Sequence, residues 1–178
     1  MSSSKIHVGI DPGKKGAIVW LRSDGEYSCY NTNLETDPLL RTALADIVGN
    51  KRDFNVWCER VPKYAGKNQS GSSVATLFSS YRYIVGYLEG KGVTVNLVVP
   101  QVWMKPHRIA CEDWPTLTYP RRKSYLYACA LQRFFREPPR QKIWENIGEK
   151  GAKLLLPRQA ADAALIALHG YNQYKANT

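Results

Sequence analysis

Three acids in this chain stand where acids are costly. Asp11 closes the stretch K-I-H-V-G-I-D-P-G-K-K-G-A-I-V-W over 5–20. In it Ile6, Val8 and Ile10 alternate as in a strand, Pro12 and Gly13 supply a turn, and a second apolar run restarts at Gly16. Glu59 closes F-N-V-W-C-E over 54–59, again an apolar strand ending on an acid. Asp162 sits in the first turn of Q-A-A-D-A-A-L-I-A-L-H-G-Y over 159–171, whose small and apolar residues predict a helix packed on most of its circumference. A carboxylate at the end of a buried strand loses hydration, so it needs a partner cation or must surrender its charge.

Each acid alone has a plain structural use. Asp before Pro-Gly bonds its own backbone in a turn, and Asp in the first turn of a helix complements the helix dipole. A phosphate-cradling Walker loop fails on spacing: Gly9 to Gly13 is one residue short, and Lys14 is followed by Lys15 rather than Ser or Thr. Together the acids point elsewhere, because sites in open α/β sheets form at strand ends, where these three could converge. Converging carboxylates repel, and the remedy is a hard divalent cation such as Mg²⁺, which shares its shell with water and phosphate oxygens. A pair of such ions activates an attacking water and stabilises the leaving oxygen of a phosphodiester. The expectation is a metal-dependent nuclease.

The elements that would position these acids follow from periodicity. Gly16–Arg22 and Glu26–Tyr30 predict two further strands around the turn Ser23-Asp24-Gly25, making an antiparallel meander with the first. Asp37-Pro38 opens a helix carrying Leu39, Leu40, Ala43, Leu44, Ile47 and Val48 at helical spacing, and Gly49-Asn50 stops it. Helical spacing returns from Val74 to Leu88, and Val93–Val99 predicts a strand. The stretch 101–120 reads as irregular, 121–136 as a helix opening R-R-K, and 137–158 as a long connection with one helical turn around Ile143–Ile147. Strands and helices in this order make an α/β fold with a mixed sheet, in one domain spanning 1–178 whose first four residues are flexible.

Composition narrows the partner. The 178 residues carry 25 Lys and Arg against 15 Asp and Glu, a formal charge of +10. That excess points to a polyanion, nucleic acid first and an anionic membrane surface a distant second. No apolar run approaches a membrane span, and residues 1–4 lack the apolar core of a secretory signal, so a soluble, non-secreted protein is expected. Cys29, Cys58, Cys111 and Cys129 are scattered, which gives neither a zinc site nor a disulfide framework.

The blocks V-G-I-D-P-G-K-K-G-A, V-W-C-E-R-V-P, L-V-V-P-Q-V-W-M-K, R-K-S-Y and A-A-D-A-A-L-I-A resemble, in order, those of the RuvC-like Holliday junction resolvases. Pro100, Trp103 and Lys105 make the phage and organelle variants the nearer likeness. The resemblance implies an RNase H-like fold with a five-stranded mixed sheet, and a homodimer that binds four-way DNA junctions. It also implies paired nicks made with Mg²⁺ or Mn²⁺ held by Asp11, Glu59 and Asp162, with Lys123 stabilising charge on the scissile phosphate. The compartment would be cytoplasm or nucleoid in a bacterium or phage, and the organelle matrix in a eukaryote. Where the family usually carries a fourth ligand, Asp or His, this chain has Gln159, a weak carbonyl donor; either Glu112 or Asp113 swings in, or a substrate phosphate supplies the oxygen, or activity is lower than the pattern implies. Tyr64 is the ring nearest the position of the family's junction-opening aromatic.

Lys14, Lys15, Lys63 and Lys67 flank the predicted cluster, as do Lys105, Arg121, Arg122 and Lys123, and would grip the phosphodiester backbone. Basic residues at a helix N-terminus oppose its dipole, which gives Arg121, Arg122 and Lys123 a reason other than helix stability. Two rivals stand: a junction-binding protein that does not cut, and a phosphotransferase of the actin and sugar-kinase type. The second needs two such halves, and the chain has room for one.

Overall fold

Alternation along two strands decides the architecture, a computed structural model that describes residues 5–13, 16–22, 27–31, 38–61, 71–135 and 158–177. The strands are β1 (Ile6–Asp11), β2 (Ala17–Leu21), β3 (Tyr27–Asn31), β4 (Phe54–Glu59) and β5 (Val95–Val98). They form a mixed sheet in the order β3-β2-β1-β4-β5. The β1–β2–β3 meander is antiparallel, and β4 and β5 add in parallel.

On one face of the sheet, Val8, Ile10, Phe54, Val56 and Cys58 pack against Leu40, Ala43, Leu44 and Ile47 of helix α1 (Pro38–Gly49). Ile84, Val85 and Leu88 of α2 (Gly71–Gly90) complete that core. The other face carries Ala17, Val19, Leu21 and Val98, covered by α5 (Tyr119–Phe135) and the last helix, α6 (Ala161–Ala176). Helix α6 is buried without a break from Ala161 to Leu168, as its composition predicts.

The seating of α6 depends on one missing side chain. A Cβ on Gly9 would collide with the Ala163 carbonyl and the Ala167 amide, so helix backbone lies directly on strand backbone there. Further along, a Cβ on Gly170 would collide with the Trp57 indole. At the far end the Tyr171 and Tyr174 rings meet His7, with centroids 5.2 and 5.5 Å away. Residues 7 and 9 of β1 thus meet residues 171–174 and 163–167 of α6 in reverse order. The helix runs antiparallel to the strand and brings Asp162 to the level of Asp11.

The far end is a partly buried polar seam. Asn55 Nδ2 lies 3.3 Å from His7 Nδ1, while Asn55 Oδ1 accepts from Trp57 Nε1 at 3.1 Å and from Asn96 Nδ2 at 3.3 Å. Burial, helped by Lys5, pushes the His7 pKa down to about 4, so the ring is neutral at pH 7 and its Nδ1 accepts.

Three elements differ from expectation. Residues 100–109 are not irregular but form two short helices, α3 (Pro100–Trp103) and α4 (Lys105–Ile109), each with proline in its first turn, where the missing N–H is harmless. Helix α5 begins at Tyr119, two residues before the basic triplet, with Pro120 again in the opening turn. Helix α2 begins at Gly71, ahead of the first periodic apolar residue. The Ser23–Gly25 turn, Asp37 and the 137–157 connection lie outside the described residues.

Gly9→Ala is expected to lower unfolding free energy by about 3 kcal/mol or more, since rigid backbone cannot yield to the added methyl. Gly86→Ala, in α2 with open space around it, is expected to change stability by no more than about 1 kcal/mol, upward. Urea titration of both variants checks the contrast.

Candidate functional site

Strand register brings the first two acids together. Ile10 of β1 pairs with Cys58 of β4, so Asp11 and Glu59, each one residue further, leave the sheet side by side on the α6 face. Asp162 arrives from α6 and Lys123 from α5. All four line one cavity of about 530 Å³ with Gly13, Leu77, Tyr119, Gln159 and Ala161.

The acids are held by packing and only partly by partners. Lys123 Nζ donates to Asp162 Oδ2 in an ion pair. Trp103, 2% exposed, donates its indole N–H to Glu59 Oε2 at 2.9 Å. The Gly13 amide donates to Asp11 Oδ1 at 3.3 Å. These contacts do not offset burial and mutual repulsion. Burial, then the Asp162 charge, raises the Asp11 pKa to about 6 against the pull of Lys123 and the Gly13 amide. Burial, then Asp11, raises Glu59 to about 7, opposed by the Trp103 hydrogen bond. Desolvation pulls Lys123 down, but attraction and the hydrogen bond to Asp162 outweigh it, and the ammonium is held above its ordinary value.

The donor set suits a hard cation: the oxygens of Asp11 and Glu59, whose pKa values are raised by desolvation and then by neighbouring negative charge, beside the Asp162 carboxylate. The oxygens are not gathered into a finished shell, however, and among the described residues no group of three or more His, Cys, Asp or Glu is arranged to hold a metal ion. Asp162 and Glu59 each give an oxygen to the protein, to Lys123 and to Trp103. The residues therefore fit a divalent ion in chemistry and shared location, with Asp162 ion-paired to Lys123.

Gln159 lines the cavity from a 3₁₀ turn, Arg158–Ala160. Glu112 and Asp113 line a separate cleft with Arg121, so neither replaces the missing fourth acid in this arrangement. Lys105 is exposed on α4 and Arg121 on α5. Arg122 turns away from the acids: its guanidinium lies over the Trp114 ring, 5.5 Å from the centroid, and donates to the Pro115 carbonyl at 3.2 Å. Lys14, Lys15, Lys63, Tyr64 and Lys67 lie outside the described residues.

Two site residues were not assigned from sequence. Trp103 could have been found by following the chain, since Val98 pairs with Glu59 and the next turn of chain must pass that acid. Tyr119 required the true start of α5, which puts it four residues before Lys123 and on the same face.

No family model matches the chain, and no curated protein matches it. Among solved structures the chain is similar to T. thermophilus RuvC in complex with a Holliday junction substrate, at 14% identity and a TM-score of 0.53, covering 95% of this chain and 96% of that one. A second structure, of Thermus thermophilus RuvC, aligns at 16% identity and a TM-score of 0.44, covering 96% of each chain. The fold is RuvC-like: a mixed α/β sheet flanked by helices. No helix among the described residues is long and apolar enough to cross a membrane.

The raised acids make a pH prediction for metal-free protein. With folded pKa values near 6 and 7 and ordinary values near 4 when unfolded, the native state binds more protons than the unfolded state between pH 4 and 7, so these groups lower stability as pH rises through that window. In chelator, Asp11→Asn is expected to be more stable than wild type by about 1–3 kcal/mol at pH 8, the gap closing toward pH 4. Denaturant titrations across that range check it. His7 works in the opposite sense, its contribution being lost as pH falls from 6.5 through 4 in both proteins alike.

Proposed function

We propose that this protein is a divalent-metal-dependent endonuclease that cuts branched DNA, four-way junctions above all, in paired symmetric nicks. The observation carrying the reading is that Asp11, Glu59, Asp162 and Lys123, from four separate elements, line one pocket at the strand ends of a RuvC-like fold. The net charge of +10 supports a polyanionic substrate.

Asp11, Glu59 and Asp162 would hold Mg²⁺ or Mn²⁺, with the Gln159 carbonyl as a weak fourth donor. When bound, two such ions supply the charge that activates an attacking water and steadies the leaving oxygen. Lys123 keeps its proton across the working range, so it serves as a fixed positive charge facing the scissile phosphate and not as a base. Lys105 and Arg121 hold the flanking backbone, joined by Lys14, Lys15, Lys63 and Lys67, with Tyr64 at the branch point. Arg122 instead braces the 114–122 segment through Trp114. Paired nicks require two such pockets, hence a homodimer, each chain acting as one domain. The block formed by Pro100, Trp103 and Lys105 favours the phage and organelle type.

A second reading, junction binding without cleavage, is favoured by Gln159 and by the Lys123–Asp162 ion pair. One assay separates the two. With Mg²⁺ or Mn²⁺, purified protein is expected to cut a synthetic four-way junction symmetrically, while Asp11→Asn binds it within a few-fold of wild type and cuts at least about a hundredfold more slowly. Tight junction binding with no cutting in either metal selects the second reading. Equal affinity for junction and linear duplex would sink both.

A further inference from the structure

We propose that Tyr119 is a stacking platform for one unpaired nucleobase next to the scissile phosphate, which makes broken base stacking at the cut a requirement for cleavage. The inference rests on the endonuclease reading and adds to it the form of strand the pocket accepts. Tyr119 is 71% exposed, yet it lines the same cavity as the three acids. Ile109 is equally exposed at 73% and lines no part of that cavity, so exposure alone does not single out Tyr119; its location does.

The backbone that carries the ring is firmly mounted. It stands in the first turn of α5, whose next turns bury Leu126, Tyr127 and Ala130 in the core. The approach to that turn is fixed by Arg122, which stacks over Trp114, donates its guanidinium to the Pro115 carbonyl and its amide to the Thr118 carbonyl at 2.9 Å. The Lys123 ammonium lies 5.9 Å from the Tyr119 centroid, one helical turn along the same face. A largely exposed ring with an ammonium over it matches one repeating unit of a nucleic acid strand: a planar base to stack and a phosphate to neutralise. A base inside a duplex is already stacked on both sides, so only an unstacked one can use the ring. Stacking tolerates any base because each has a π-face, so the platform adds preference for strand form without reading sequence.

A cycle of ring and base removal tests this. Junctions are prepared with an abasic site at each position flanking the cut, and affinity (with Ca²⁺ in place of Mg²⁺) and single-turnover cleavage are measured. At one flanking position the abasic site is expected to weaken wild type about tenfold, and Tyr119→Ala to weaken binding of the intact junction by a similar factor. The two losses should not add: Tyr119→Ala should be indifferent to the abasic site, Tyr119→Phe should behave as wild type, and Ile109→Ala should stay within about twofold of it. A Tyr119→Ala protein that loses as much as wild type at every abasic position overturns the stacking role and leaves the endonuclease reading intact. Wild type that binds without cutting leaves the cycle readable in the affinities. Wild type that shows no preference for the junction overturns both.

Discussion

Helix α6 can reach the sheet only because residue 9 has no side chain. With Gly9 against the Ala163 carbonyl and the Ala167 amide, the distance between β1 and α6 is set by backbone on both sides and cannot relax. That contact lies two residues before Asp11 and one after Asp162. The separation of the two acids is therefore governed by a contact of backbone on backbone, and precision at the pocket follows from a feature with no chemistry of its own. The reverse pairing of strand and helix extends the control, since the same helix that meets Gly9 also meets Trp57 at Gly170 and His7 at Tyr171.

Such packing lets the fold hold an arrangement its electrostatics oppose. Asp11 and Glu59 titrate well above ordinary carboxylates because burial and mutual repulsion outweigh the Gly13 amide, the Trp103 indole and the nearby ammonium. Hydrophobic burial on both sides of the sheet, large aliphatics under α1 and α2 and mostly alanines in α6, supplies the opposing free energy. Carboxylates perturbed in this way and gathered in one pocket mark it as a candidate functional site. Asp162 differs from the other two, since its charge is already matched by Lys123.

Most of this was legible before any coordinates because the governing signals are local. Strand β4 begins and ends where the alternation of Phe54, Val56 and Cys58 places it, and the all-round apolar character of α6 announces its burial. Asp11, Glu59 and Asp162 stood out because each is an acid in apolar sequence. What was hidden depends on contacts distant in the chain. Arg122 reads like its neighbours in an R-R-K triplet, and only the return of Trp114 over its guanidinium gives it a different task. Residues 100–109 looked irregular because their prolines resemble breakers, although at a first turn proline is compatible with helix. Glu112 and Asp113 were reasonable substitutes for the missing acid in sequence, but they line a separate cleft that shares no residue with the acid pocket.

The hydrogen bond from Trp103 to Glu59 has a spectroscopic consequence. An indole buried from solvent and bonded to one carboxylate feels that group's charge directly, so its near-ultraviolet dichroism and emission wavelength report on whatever happens at Glu59. Trp57, on the strand that carries Glu59, is bonded to the neutral Asn55 instead of to a carboxylate. The chain has five tryptophans, so the probe is the part of the spectrum that Trp103→Phe removes, and that part follows the pocket without a label.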